Sequence, residues 1–97
     1  MTSTGSGYLA MIEEAERAHA ALEQVLVETK GLSWLPRGDP LKYWRQSEPK
    51  PNGLSVVLSV CDDQFRVVLS GEVEDMNVRY FNIACEAARY CEELYHN

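Results

Sequence analysis

From Leu54 to Ser70 apolar and polar residues alternate on both sides of an Asp62-Asp63 pair, and this alternation constrains the fold more than any other feature of the chain. Leu54, Val56, Leu58 and Val60 share one face of the first run, and Phe65, Val67 and Leu69 share one face of the second. With Asp62 and Asp63 as a two-residue turn, Val60 meets Phe65, Leu58 meets Val67 and Val56 meets Leu69, so every inward pair is apolar. The outward pairs are Cys61 with Gln64, Ser59 with Arg66, Val57 with Val68 and Ser55 with Ser70. A slip of one residue would turn the apolar set of one strand toward water, which penalises other registers.

Helical patterns flank this hairpin (54–60 and 64–70). Residues 1–7 are rich in Thr, Ser and Gly and are expected to form a disordered N-terminal tail. From Tyr8 to Lys30 there is no Pro or Gly, and Tyr8, Met11, Ile12, Ala15, Ala18, Leu22, Val25 and Leu26 recur at helical spacing. The pattern predicts a long helix over 8–30, with Ser6 as N-cap, Glu13 within reach of Arg17, Lys30 in the last turn and Gly31 as a left-handed cap. Residues 76–95 are also free of breakers. Phe81, Ala84, Ala87, Ala88, Cys91, Leu94 and Tyr95 there form one broad apolar face, which predicts a second helix capped by Asp75.

Residues 31–53 hold all four prolines and three of the glycines, so they predict an irregular connector, with a possible edge strand at 41–47. The expectation for residues 8–97 is a single α+β domain: a long N-terminal helix, a two- or three-stranded antiparallel hairpin or meander, and a C-terminal helix. A bare hairpin is marginal in water, so both helices should cover the Leu54–Leu69 inward face. The opposite face, centred on Val57 and Val68, is then expected to be exposed, and a second copy of the chain is an economical way to finish the sheet. A homodimer is the expected assembly.

Charge narrows the function classes. Fifteen acids against nine Lys and Arg give a formal net charge of -6, which disfavours a direct grip on nucleic acid or an anionic membrane surface. No run approaches the roughly 18 apolar residues of a membrane span, and no basic start leads into an apolar stretch. A cytoplasmic protein is therefore expected. Cys61, Cys85 and Cys91 form no CxxC pair and read as reduced thiols serving as small core residues.

Only the 31–53 connector is net basic, with Arg37, Lys42, Arg45 and Lys50 against Asp39 and Glu48, and it also carries Trp34, Tyr43 and Trp44. Arg and aromatic side chains are enriched where proteins meet partners, so Trp34, Arg37, Lys42, Tyr43, Trp44 and Arg45 are the candidate partner-binding residues. The competing use for the same residues is to fold Trp34 and Trp44 over the end of the core and solvate a connector. The Arg37-Gly38-Asp39 tripeptide reads as a turn.

Catalysis finds little support. His19 and His96 lie far apart in sequence, with His19 at the boundary of the first helix stripe, and no nucleophile elbow, zinc-binding pair or phosphate loop occurs. No metal, no cofactor and no enzyme activity are expected. The expected function is a small acidic protein-binding module, an inhibitor or adaptor of the kind phages and mobile elements encode, acting on a larger nucleic-acid-handling complex. One alternative is a binder of a small anion such as a nucleotide, held by Arg37, Lys42 and Arg45 against Trp34 or Trp44. The other is a chaperone-like dimer, because the acidic helix-sheet-helix order is similar to that of small acidic secretion chaperones.

Overall fold

The computed structural model describes residues 3–39, 41–71 and 75–97. Its elements are α1 (Ser3–Glu28), β1 (Trp44–Gln46), β2 (Ser55–Cys61), β3 (Gln64–Ser70), β4 (Asp75–Phe81) and α2 (Ala84–His96). The strands form one antiparallel sheet in the order β1-β2-β3-β4, and both helices pack on the same face of it.

The central hairpin has the register that alternation dictates: Val60 opposite Phe65, Leu58 opposite Val67, Val56 opposite Leu69 and Cys61 opposite Gln64. Asp62 and Asp63 both take positive φ, 50° and 63°, as a two-residue turn matched to the right-handed strand twist requires. Asp tolerates that region better than most residues do. Beneath the helices, Val56, Leu58, Val67 and Leu69 pack with Leu22 and Val25 of α1 and with Ala87, Ala88, Cys91 and Leu94 of α2. The alanines keep the second helix close to the sheet.

Residues 76–95 are not one helix. Asp75–Phe81 forms β4, paired with β3 through Phe65 opposite Phe81 and Val67 opposite Arg79, and helix begins only at Ala84. Asp75 is therefore the first residue of a strand rather than a helix cap. The free edge of β3 offers a row of ladder hydrogen bonds, and Val78, Tyr80 and Phe81 suit a pleated surface, so tertiary pairing overrides the absence of helix breakers. The actual start of α2 carries no side-chain cap: Ile83 is extended and its carbonyl accepts from Glu86 and Ala87. A bulge interrupts β4 near Asn77, which has φ 56°, and the Tyr90 hydroxyl donates to the Asn77 carbonyl at 2.7 Å.

The N-terminal segment differs as well. Residues from Ser3 onward are helical rather than a disordered tail, Ser6 lies within α1, and residues 1–2 fall outside the described range. At the other end α1 stops at Glu28, short of Lys30, whose amide donates to Glu92 of α2. Gly31 has φ +76°, and a Cβ there would stand 2.8 Å from His96 Nε2, so this position combines a left-handed backbone with close approach of the two helix ends.

The second face of the sheet is less open than its residues suggest. Val68 and Ser55 are buried on it, at 1% and 4% exposure, and β1 and β4 flank the hairpin on both sides. Across this face Trp44, Ser59, Arg66 and Tyr80 occupy one cross-strand row. Arg66 pairs with Asp75 at 3.2 Å.

Lys50 is buried within the connector, and its ammonium donates to the main-chain oxygens of Leu94 and Asn97 at 2.8 and 2.7 Å. A cation here faces the negative end of α2 and satisfies carbonyls that the helix leaves unpaired. Replacing Lys50 by Met keeps the apolar stem and removes the donor, and it should lower stability by about 1–3 kcal/mol. Urea unfolding would show this as a lower midpoint with an unchanged slope.

Candidate functional site

The six connector residues do not form one patch. Trp34 is half-buried against the core, bridges to Ser47, and donates its indole N–H to Thr29 Oγ1 at 2.9 Å. It serves the fold. Arg37 Nη2 pairs with Glu16 of α1 at 2.9 Å. Arg45 pairs with Glu23 of α1, and its other terminal nitrogen donates to the Leu35 carbonyl at 3.2 Å, with only 11% of the side chain exposed. Among the described residues, the ion pairs of α1 thus run from Glu16 and Glu23 to the connector, not between neighbours along the helix.

Lys42 and Trp44 remain accessible. The Lys42 ammonium sits 5.2 Å from the centre of the Trp44 ring, which is 39% exposed, and Leu41 beside them is 42% exposed. The Arg37-Gly38-Asp39 stretch ends in a turn: the Asp39 carbonyl accepts from the Lys42 amide, and its carboxylate accepts from the Leu41 amide at 2.9 Å. This turn places Lys42 and Trp44 beside a shallow depression of about 130 Å³ lined also by Leu35, Pro36 and Gln46.

Tyr43 points elsewhere. It lines a groove of about 830 Å³ between α1 and the turned end of the central hairpin. The walls are Ala18 and Ala21 on one side and Val60 and Phe65 on the other; Glu14, Arg17, Asp62 and Asp63 stand at its rim. Of the inward hairpin pairs, Leu58 with Val67 and Val56 with Leu69 are buried, whereas Val60 and Phe65 are only half-buried. Both lie where α1 passes the turned end of the hairpin. This groove was not anticipated, although the spacing of Ala18 and Ala21, one helical turn apart, was a visible signal of a shallow place on α1.

Titratable groups of interest are few. His19 is buried, at 3% exposure, rather than lying at the boundary of the stripe. Among the described residues no group of His, Cys, Asp or Glu is arranged to hold a metal ion, and no helix is long and apolar enough to cross a membrane. Burial draws the Arg66 guanidinium downward, but hydrogen bonds to Asp75 and Tyr80 outweigh it and leave its pKa raised. Cys91 is buried and burial pushes its thiol up to about 12, whereas Cys61 and Cys85 are exposed and so are not core residues. Comparison with protein-family models, curated proteins and solved structures finds no match.

Thiol chemistry provides a direct check of this arrangement. A disulfide reagent such as Ellman's should titrate Cys61 and Cys85 in the native protein, with Cys91 reacting only after denaturation. Because the Cys91 pKa is raised from its ordinary 9.0 to about 12, its contribution to stability is complete below pH 9 and is lost as pH rises from there toward 12. Denaturant midpoints measured across that range should therefore fall in the wild type and fall less in Cys91→Ala.

Proposed function

We propose that this chain is a non-enzymatic protein-binding module of the cytoplasm, working as a homodimer and serving as an inhibitor or adaptor on a larger nucleic-acid-handling complex. The observation that carries the reading is the exposed cluster of Leu41, Lys42 and Trp44 at the edge of the sheet, where an aliphatic side chain, a cation and a large aromatic ring lie together outside the core. Such side chains combine apolar contact area with a charged handle, the composition on which protein interfaces concentrate their binding energy. The acidic remainder of the surface favours a basic partner.

An anion-binding role has less support. It draws on the charge of Arg37 and Arg45, which Glu16 and Glu23 offset, leaving Lys42, and of its two candidate rings Trp34 packs on the core, leaving Trp44. Proteins recovered with the tagged chain from its native cells test the two readings. Changing Lys42 and Trp44 together to Ala should abolish recovery of a specific partner while moving the melting temperature by no more than a few degrees. Undiminished recovery of that partner by the double variant counts against the proposal. So would a nucleotide that raises the melting temperature of the wild type; at a hundred times its dissociation constant it would add roughly 2.7 kcal/mol.

A further inference from the structure

The groove between α1 and the β2–β3 turn has two properties that the Lys42–Trp44 cluster lacks. It is far roomier than the depression of about 130 Å³ beside that cluster, and its charge is predominantly negative. Val60 and Phe65 carry the apolar face of the hairpin to its turned end, opposite Ala18 and Ala21 of α1, so apolar side chains line part of an open channel. Around it stand three carboxylates, Glu14, Asp62 and Asp63, against one base, Arg17. At about 830 Å³ the space accommodates several side chains.

We infer that this groove binds a cationic, amphipathic segment of a partner protein, one that lays apolar side chains between Ala18/Ala21 and Val60/Phe65 and sets Lys or Arg against Asp62, Asp63 and Glu14. Charge complementarity selects the occupant. An acidic or neutral segment would leave the three carboxylates with Arg17 as the one base lining the groove, whereas a purely polar cation would leave Val60, Phe65, Ala18 and Ala21 without apolar contact. The geometry is that of a helix or short strand docked by a few anchors into a groove. This rests on the reading of the chain as a protein-binding module but uses neither Lys42 nor Trp44, so the two surfaces are tested separately.

The probe is a fluorescein-labelled peptide alternating Leu and Lys in an amphipathic helical pattern, followed by anisotropy at near-physiological salt. Asp62→Asn with Asp63→Gly removes both turn charges and installs the residue pair best suited to positive φ at both positions, so the hairpin is kept. This variant should bind about tenfold more weakly. Glu86→Gln with Glu93→Gln removes the same charge from exposed positions on α2 and should change affinity by less than about twofold. A peptide with Ser in place of Leu should not bind. In the wild type, amide resonances of Ala18, Ala21, Tyr43 and Phe65 should shift on titration. Equal losses in the two charge variants, binding of the Ser peptide, or shifts confined to other surfaces would each overturn the inference and leave only a diffuse acidic field.

Discussion

The turn at Asp62-Asp63 holds the fold in register. Both residues sit in the left-handed region, and this fixes Val60 against Phe65 and thereby each pair behind them. Because the side-chain period of a strand is two, that single offset decides that Val56, Leu58, Val67 and Leu69 all face the helices. The alanines and Cys91 of α2 and Leu22 and Val25 of α1 then have one apolar surface to cover. A strand added on either side inherits the same offset, and so Arg45 follows Leu58 and Arg79 follows Val67 on the helix face.

The connector shows how a local excess of positive charge is absorbed. Residues 31–53 are the basic part of an acidic chain, and the structure lays them along the first helix, with Arg37 on Glu16 and Arg45 on Glu23. Exposed ion pairs of this kind contribute little stability singly. Arg45 gains more because it is mostly buried and also reaches the Leu35 carbonyl, which draws the Ser33–Leu35 strip against the edge of β1. Lys50 is spent on the carbonyl end of α2. Lys42 is the connector cation left beside an exposed ring.

Much of this was legible in the sequence, where periodicity and turn chemistry act locally. The hairpin register, the apolar faces of both helices and the left-handed Gly31 could be read from residue spacing. Strand β4 could not, because its backbone conformation is decided by the free edge of β3, and its own residues include no Gly or Pro to mark the break at Asn82 and Ile83. The site was read in part. Trp34 and Trp44 look alike in the chain, and only the bridge to Ser47 and the hydrogen bond to Thr29 assign the first to the core. The groove arises from a mismatch in length between a 26-residue helix and seven-residue strands, a property of two distant segments together.

Among the described residues, β4 forms an edge of that sheet with no further strand beside it. Along β4 the left-handed Asn77 throws the ladder out of step, and Tyr90 claims the carbonyl at that point. A neighbouring chain that tried to extend the sheet would meet a broken row of donors and acceptors, with Arg79 close by. The kink that made this strand hard to foresee thus also opposes edge-to-edge pairing with a further chain.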